Sequence, residues 1–444
     1  MAEIAVNSSI GKLKELDLFS IPQSQGIVER VRYVDIFTTT SDVDASLLEF
    51  TIPESGQDFI DFKRSKLQIK CKITNGGAPL TQTDSVGPVN LTLQSLFSNV
   101  DMFMNNVRVA SSTTNYAYQA YFPTTICLGL EEKETYLMSQ MYAKDEGDMD
   151  DTATKLSSKV GTSNSGLLKR ASYFAKSKVV QLSGPLYTDL WRSDRWIIPN
   201  VTTKISLTRN NDKFVLMATK TNQKYHVEIV DARFIICYCT LYNNAYLAQE
   251  AALSLSPALY PLTKTQLKNY SIEVGSREKT YEDVFSGKIP SRFIVGFVSD
   301  SAYDGHLNKN PYNFKNFNIN FIGAYYNGIP VPGKAYEPTF NGTLALDSQF
   351  IDCYEALCSY PKRNYLGNDI TRDDFANGYC FFVFDIEQLG KDYSHLIPLY
   401  KSGNLRLVVK FKDNVKDDSI QMLVHASFPY ILKINKQREI MLEY

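Results

Sequence analysis

Apolar and polar positions alternate along residues 310–333, on both sides of one tight turn. Asn327 and Gly328 form this turn, because Asn-Gly readily adopts the two positive φ angles that a type I′ turn requires. The alternation slips by one position near Phe321, which indicates a β-bulge that re-aims the strand. The pattern therefore predicts a β-hairpin with its turn at Asn327 and Gly328.

A second stretch, residues 98–111, has the same pattern around a turn at Asn105 and Asn106. The two turns are 327 − 105 = 222 residues apart, which is half of the 444-residue chain. The alternating pattern of residues 66–73 also returns in residues 291–300, and the matched segments keep their order. We infer that the chain contains two copies of one domain.

The offset between matched segments shrinks toward the end of the chain. The strand pattern around Ile205 matches the one around Leu407 at 407 − 205 = 202 residues. A polar stretch poor in aromatic residues, 144–166, lies between the matched segments of the first copy. We interpret it as a long exposed loop that is shortened in the second copy.

Strand patterns outnumber helical ones, at about eight strands per copy. The unalternating apolar run 234–239 is typical of a strand that is covered on both faces. Further strand patterns lie at residues 28–38, 178–184, 196–208, 224–242, 268–274, 379–386, 404–412 and 420–434. Helical patterns lie at residues 88–97, at residues 115–122 where Pro123 should end the helix, at residues 244–255 and at residues 350–358.

These elements predict an all-β protein of two tandem eight-stranded antiparallel jelly-roll sandwiches, a double jelly-roll, with a few short helices. Immunoglobulin-like domains fit less well, since they are nearer 100 residues long. The predicted domains are an N-terminal arm (1–26), a first jelly roll (27–243), a helical linker (244–256) and a second jelly roll (257–444). The arm carries an apolar stretch, residues 16–22, that we expect to dock on the body or on a neighbour.

Charge and composition limit the kinds of molecule that we expect the protein to bind. With 47 basic and 48 acidic residues the net charge is −1, so we expect no strong direct binding of nucleic acid. The chain lacks a secretory signal pattern and a run of about 18 apolar residues, so we expect intracellular synthesis and no membrane span. The seven cysteines sit mostly in apolar runs, which favours buried free thiols over disulfides.

No pattern indicates a metal, a cofactor or a phosphate-binding loop. Cys237 and Cys239 form a CxC without a second pair, and GxxxxGK[ST], GxGxxG and GxSxG are all missing from the sequence. The histidines have no partner at ligand spacing, so we interpret each as structural. They are His226, His306, His395 and His425.

Two acidic motifs and one basic motif contain residue types that could support ion binding, catalysis or base stacking. The run from Asp145 to Asp151 has oxygen ligands for calcium but not the EF-hand spacing, which favours a solvated loop. Asp373 and Asp374 are a candidate acid and base for glycoside hydrolysis, yet no motif places a second acidic group, which favours a loop and turn before the strand at residue 379. Residues 309–317 mix lysine with aromatics, and we interpret them as the entry to a strand. The sequence thus predicts a protein that is not an enzyme.

Seven motifs in one order, between about residues 14 and 440, carry a family resemblance. The chain resembles the major capsid proteins of the Polinton/Maverick and adintovirus group. The motifs are LDLFSIP, SLFSNVDMFMNNVRV, DEGDMDD, GLLKRASYF, GKIPSRFIVGFV, NKNPYNFKNFNINFIGAYYNGIPV and ITRDDFANGYCFFVFD.

The resemblance implies a double jelly-roll subunit that forms a homotrimer of pseudo-hexagonal outline. Many trimers would tile an icosahedral shell, with a single jelly-roll penton protein at the vertices, and the chain would be located in the virion. One departure from the family is Asn106, which stands where such hairpins carry Gly; Asn tolerates positive φ at some cost.

Two other functions stay open at this point. Tandem jelly rolls also serve as glycan-binding, lectin-like modules. A capsid gene retained by a host, with a cellular role, would have the same sequence features.

Overall fold

The structure is a computed structural model of the chain. It describes residues 14–16, 18–19, 21, 24–111, 115–154, 163–341, 348–361, 368–386 and 401–443. Most of the predicted arm, the middle of the polar stretch 144–166 and His395 lie outside these residues.

The described residues of the first half of the chain form eleven strands, with short helices between them. In order these are β1 (Val28–Phe37), β2 (Leu47–Ile52), β3 (Phe59–Asn75), β4 (Ala78–Pro79), β5 (Val86–Pro88), α1 (Thr92–Ser95), β6 (Phe97–Met104), β7 (Val107–Ser111), α2 (Tyr116–Cys127), α3 (Leu130–Glu134), α4 (Ser165–Phe174), β8 (Val180–Gly184), β9 (Thr203–Arg209), α5 (Asp212–Val215), β10 (Leu216–Ala218) and β11 (Tyr225–Leu241).

These strands form two facing antiparallel sheets, which together we call the first sandwich. One sheet has the order β1-β11-β3-β4, with β8 also paired to β3, and the other has the order β2-β9-β6-β7. A small additional sheet pairs β10 with β5.

The second half starts after helix α6 (Asn243–Leu255), which is mostly exposed. Its elements are β12 (Ala258–Ile272), β13 (Glu278–Tyr281), β14 (Lys288–Ile289), β15 (Arg292–Ser299), α7 (Asp300–Tyr303), β16 (Ile319–Tyr326), β17 (Ile329–Tyr336), α8 (Ile351–Ser359), α9 (Arg372–Ala376), β18 (Phe381–Asp385), β19 (Lys401–Ser402), β20 (Leu405–Phe411), β21 (Ile420–Ile434) and β22 (Ile440–Glu443).

The second sandwich repeats the strand order of the first. Its sheets run β12-β21-β15-β18, with β22 added to β21, and β13-β20-β16-β17, and β14 pairs with β19. The register repeats as well, since Met102 lies opposite Ile205 in the first copy and Ala324 lies opposite Leu407 in the second. The predicted double jelly-roll of two antiparallel sandwiches is thus confirmed. In the sequence, the described strands of the first sandwich precede α6 and those of the second sandwich follow it. The exact domain boundaries stay a prediction.

Alternation along the strands explains which face each one buries. In β3, Leu67, Ile69, Cys71 and Ile73 are buried, and the polar residues between them are more exposed. In β11 the residues from 236 to 239 are all buried, so this part of the strand is covered on both faces as predicted. The bulge predicted near Phe321 is present, as a register shift between residues 319 and 321.

Helix α2 corrects one prediction, because it runs through Pro123 to Cys127 instead of stopping before it. Proline cannot donate a hydrogen bond to the carbonyl of Gln119, which costs about 3 kcal/mol in a helix. Ten of the twelve residues of α2 are buried, including Tyr121 and Phe122. Burying each large side chain stabilises by roughly 1.5 to 3 kcal/mol, so packing outweighs the cost of the proline.

Three strand boundaries also differ from the predictions. Residues 310–318 are not a strand: β16 begins only at Ile319, after two residues, Phe317 and Asn318, with positive φ. Strand β9 begins at Thr203 rather than at 196, and β12 begins at Ala258 rather than at 268. The shrinking offset between the copies arises between β7 and β8, where the first copy carries α2, α3 and α4.

Candidate functional site

The two sandwiches contact each other at several places, and we call one buried contact between them the seam. From the first sandwich it contains α2, Lys133, residues 143–150 and Arg170. From the second it contains residues 310–315, residues 369–381 and part of β21. The seam fixes how the two sandwiches sit relative to each other, and it holds the acidic motifs that the sequence singled out.

Aromatic rings from both sandwiches interlock at the centre of the seam. Tyr121 stacks on Tyr312 with ring centroids 4.0 Å apart and an angle of 7° between the rings. Phe314 packs edge-on against Phe122 at 5.2 Å. A Cβ atom on Gly296 would lie 2.6 Å from the Phe314 ring, so the glycine in β15 makes room for that ring. Stacked and edge-on pairs of this kind favour one relative position of the two sandwiches.

A fully buried ion pair lies beside these rings. The Arg170 guanidinium donates to Asp145 Oδ1 at 2.7 Å, and both side chains are 0% exposed. The same guanidinium donates to the carbonyl oxygens of Pro88 at 2.9 Å and Ala143 at 2.6 Å. Across the seam, Asn310 donates to Asp145 Oδ2 at 3.1 Å. Each oxygen of the buried carboxylate therefore accepts a hydrogen bond.

In the acidic run 145–151 only the middle, residues 146–148, is exposed as predicted. Asp145 and Met149 are buried, and Asp150 accepts hydrogen bonds from Lys315 Nζ at 2.7 Å and from the backbone of Asn310 at 3.0 Å. The prediction fails at Asp145 and Asp150 because their counter-charges come from residues far away in the sequence. Likewise, residues 309–317 pack into the seam instead of leading directly into a strand.

A second group of charges crosses the seam near Asp369. Lys133 pairs with Asp369, and Lys144 donates to Asp374 at 2.7 Å. Asp374 also accepts hydrogen bonds from Thr371, which caps α9. Burial raises the pKa of Asp374, but the hydrogen bonds from Lys144 and Thr371 outweigh it and the net pKa is lowered.

Asp373 and Asp374 therefore do not lie in the loop and turn that we predicted. They form the first turn of the short helix α9, where carboxylates complement the helix dipole. Asp373 is exposed, whereas Asp374 is held by Lys144 and Thr371. Thr371 and Asp374 form the capping box of α9.

A cleft of about 920 Å³ opens at one end of the seam. Its exposed charges are mainly acidic, from Glu146, Asp148 and Asp373, with Lys315 on one side. The remaining lining comes from residues 145, 147, 149, 313, 316–318, 374 and 376–378. The acids of the two sandwiches face the same opening.

The two hairpin turns are braced in the same way. Asn105 Oδ1 accepts a hydrogen bond from the backbone of Thr202 at 2.9 Å, and Asn327 Oδ1 accepts one from the backbone of Asn404 at 2.8 Å. In return, the backbone N–H groups of Asn105 and Asn327 donate to the carbonyls of the same two residues. The first turn position thus ties each hairpin to the neighbouring strand of its sheet.

The second turn position differs between the copies. Asn106 has φ 66° and Gly328 has φ 85°, the left-handed values that a type I′ turn needs. The first hairpin also contacts the second sandwich, because Asn105 Nδ2 donates to the carbonyl of Arg438 at 2.8 Å. Neither turn lies at the seam cleft.

The three described histidines have different surroundings. His226 bridges two carboxylates, with Nδ1 2.7 Å from Asp212 and Nε2 2.8 Å from Asp44. His425 is buried against the Phe122 ring, and neither of its nitrogens bonds any residue that the structure describes. Burial lowers the pKa of His425 to about 3, so it is neutral. His306 is exposed.

All seven cysteines are free thiols, and five of them are buried. Cys237 and Cys239 lie near Asp61, with their ligand atoms within 4.8 Å of one another. The Arg64 guanidinium already occupies this position, since it donates to Asp61 at 2.6 Å and to the Cys239 sulfur at 3.3 Å. A cation therefore already balances the charge that a metal would neutralise.

The sequence did not reveal the charged residues of the seam. Arg170 lies in GLLKRASYF, a motif singled out for resemblance alone, and Lys133 and Asp369 lie in polar stretches of ordinary composition. The one available signal is a lone charge among apolar helical positions, such as Arg170 between Leu167 and Phe174.

Comparison with sequences gives one relative and no family model. No family model matches the chain. An uncharacterized protein of Caenorhabditis elegans is 23% identical over 433 residues, which covers 94% of this chain and 98% of the relative. Among the described residues, no helix is long and apolar enough to cross a membrane.

Solved structures match the whole fold. A chain of the Sputnik virophage, solved by cryo-EM, superposes with a TM-score of 0.60 at 14% identity, covering 100% of this chain and 94% of that one. The mavirus major capsid protein gives 0.57 at 10% identity with coverages of 100% and 97%. The Faustovirus major capsid protein gives 0.55 at 8% identity with coverages of 94% and 92%. The chain has the double jelly-roll fold of viral major capsid proteins.

Proposed function

We propose that the chain is the major capsid subunit of a double-stranded DNA virus or virus-like transposon of the Polinton/Maverick and adintovirus group. It assembles as a homotrimer of pseudo-hexagonal outline, and the trimers build an icosahedral shell in the virion. The observation that carries this proposal is the full-length match of both sandwiches to viral major capsid proteins. The nematode relative, matched over 98% of its length, supports a genome-resident source as well as a viral one.

The duplicated architecture supports a trimer. Two sandwiches with the same strand order give each subunit two similar blocks, so three subunits present six blocks around one axis. A nearly hexagonal unit of this kind can pack side by side with copies of itself over a surface. Closed rotational symmetry also limits the assembly to a defined size.

A rigid subunit is the second requirement, and the seam supplies it. The stacked rings of Tyr121 and Tyr312, and the hydrogen bond from Asn310 to the buried Asp145 carboxylate, connect the sandwiches through groups that have one favourable geometry. Because such contacts are lost when the sandwiches shift, the two blocks move as one body. A shell needs this, since errors in the angle between blocks would accumulate over many subunits.

Exposed apolar residues offer surfaces on which neighbouring subunits can pack. In the arm, Leu18, Phe19 and Ile21 are 74%, 93% and 91% exposed. Strand β1 is the edge of its sheet, and Tyr33 and Phe37 are exposed on it. Unpaired strand edges and exposed apolar residues are features that a protein covers by association.

We extend the proposal to domains and partners. The arm is residues 1–26, the jelly rolls are 27–243 and 257–444, and 244–256 links them. The arm locks neighbouring subunits from the inside of the shell, and a single jelly-roll penton protein fills the vertices. The net charge of −1 supports a shell that does not bind the genome strongly. The subunit has no enzymatic role.

The proposal is tested on purified full-length protein. Size-exclusion chromatography with light scattering should give three times the 50.3 kDa of the chain, and negative-stain microscopy should show hexagonal units or shells. A strictly monomeric protein that is retained on a glycan column would refute the proposal in favour of a lectin-like module. Trimers that never form shells, together with expression in uninfected host cells, would point to a retained gene with a cellular role.

A pair of matched variants tests the arm. Phe19→Ser should reduce the yield of shells while leaving trimers intact. The control is Leu255→Ser in α6, which removes a side chain that is 90% exposed but lies outside the arm. Equal loss of shells in both variants would contradict a locking role for the arm.

A further inference from the structure

Lys133 and Asp369 form a buried ion pair between the two sandwiches. Their side chains are 1% and 8% exposed. Lys133 Nζ donates to Asp369 Oδ1 and to the carbonyl of Thr125 at 2.6 Å. An amine and a carboxyl group are thus held against each other in a site that excludes bulk water.

Burial favours the uncharged form of the Lys133 amine. Burial lowers the pKa of Lys133, although Asp369 opposes this effect. The Tyr142 ring lies 5.9 Å from Lys133 Nζ and forms an apolar wall. Transfer of one proton from the Lys133 ammonium to Asp369 would leave a neutral amine in direct contact with a carboxylic acid.

The second carboxyl oxygen is free to take part. Asp369 Oδ2 is buried and accepts no hydrogen bond from the residues that the structure describes. The ammonium of Lys144 lies 4.0 Å from it. Negative charge that develops on Oδ2 during attack at the carboxyl carbon would be stabilised by this cation.

A small cavity adjoins the pair. Its volume is about 220 Å³, and its lining includes Lys133, Tyr142, Lys144 and Asp369. The cavity is large enough to receive a released water molecule, whose share of liquid volume is about 30 Å³.

We propose that Lys133 and Asp369 condense spontaneously to an isopeptide bond that joins the two sandwiches covalently. The neutral Nζ attacks Cγ of the carboxylic acid, and a C–N bond forms. The C–O bond then breaks, and the leaving oxygen departs as water with one proton from Nζ and one from the carboxyl group. The reaction consumes one ammonium-carboxylate pair and gives one amide and one water, so it needs no oxidant or cofactor.

The condensation is feasible because the fold holds the amine and the carboxyl group next to each other. Amines and carboxylic acids condense slowly in water because they ionise and meet rarely. Fixed intramolecular neighbours reach effective concentrations of about 10⁵ to 10⁸ M. Lys144 is a positioning and charge-stabilising residue in this scheme. The bond is a property of the folded subunit and does not depend on assembly.

Mass spectrometry of the full-length protein under denaturing conditions tests the proposal. The intact mass should be lower than the sequence mass by one water, and a digest should contain a branched peptide that links Lys133 to Asp369. Asp369→Asn should give the same final mass as the wild type, because asparagine loses ammonia and forms the same bond. Lys133→Met should show its full sequence mass, and Lys144→Met should lower the rate at which the linked form accumulates.

Lys315→Met is the matched control. It removes another lysine of the seam, whose ion pair with Asp150 is partly exposed at 42% and 25%, and the water loss should persist. A folded wild-type protein with its full sequence mass overturns the proposal, even if the variants fail to fold. A water loss that maps to a succinimide at Asp304 and Gly305, with no branched peptide, overturns it too.

Discussion

Replacing Arg170 by methionine should destabilise the first sandwich severely. The substitution keeps a long side chain but removes three hydrogen bonds, to Pro88, Ala143 and Asp145. It leaves the Asp145 carboxylate buried without its cation, and breaking a buried pair in this way costs about 3 to 5 kcal/mol. By contrast, Lys63 and Asp194 form a pair that is 60% and 83% exposed, and such pairs contribute about 0 to 1 kcal/mol.

Urea unfolding followed by tryptophan fluorescence measures this difference. Both tryptophans, Trp191 and Trp196, belong to the first sandwich, so the signal reports on the half that contains Arg170. With an m-value of about 3 kcal/mol per M urea, Arg170→Met should lower the midpoint by about 1 to 1.7 M. Lys63→Met is the control and should shift it by less than about 0.3 M.

A double variant separates lost charge balance from lost packing. In Arg170→Met with Asp145→Asn, the neutral amide no longer needs a cation, so this variant should be more stable than Arg170→Met alone. The reasoning fails if Arg170→Met behaves like Lys63→Met. It also fails if the double variant loses the sum of the two single effects.

Two further predictions concern the turns and pH. Gly328→Ala should lower the free energy of unfolding by about 1 to 2 kcal/mol, because residue 328 has a φ of 85°. Asn106→Gly should change the free energy of unfolding by less than about 0.5 kcal/mol. Equal effects of the two substitutions in urea unfolding would contradict this account. Although burial lowers the pKa of His226, hydrogen bonds to Asp212 and Asp44 raise it above 6.5 overall. The stability that His226 adds should therefore be complete below pH 6.5 and be lost as pH rises through the raised value, so the stability gap to His226→Gln should narrow from pH 6 to pH 8.

Strong local patterns explain why the fold class was predictable. In β20, Leu405, Leu407, Val409 and Phe411 are buried and alternate with partly exposed residues, so this strand is visible in the sequence without knowledge of its neighbours. The asparagines at 105 and 327 are visible for the same reason, because a two-residue turn depends on local backbone conformation. Repetition of such local signals at a similar spacing indicated the duplication.

Features that depend on distant residues were not predictable. The hydrogen bonds that replace solvent around Asp145 come from Arg170 and Asn310, and no local pattern connects them. Pro123 failed as a helix stop because the rings that bury α2 include Tyr312 and Phe314 from the other half of the chain. Lys133 and Asp369 could be paired only once both sandwiches were in place.

The seam also sets the order in which the chain can complete its fold during translation. Val34 of β1 pairs with Ile236 of β11, 236 − 34 = 202 residues later, which a ribosome needs on the order of 10 to 40 s to add. Even then the buried face of α2 is open, because Tyr312 and Phe314 have not yet been made. A nascent first sandwich therefore displays an aromatic surface to the cell until the second sandwich covers it, which makes this interval the one in which a folding helper matters most.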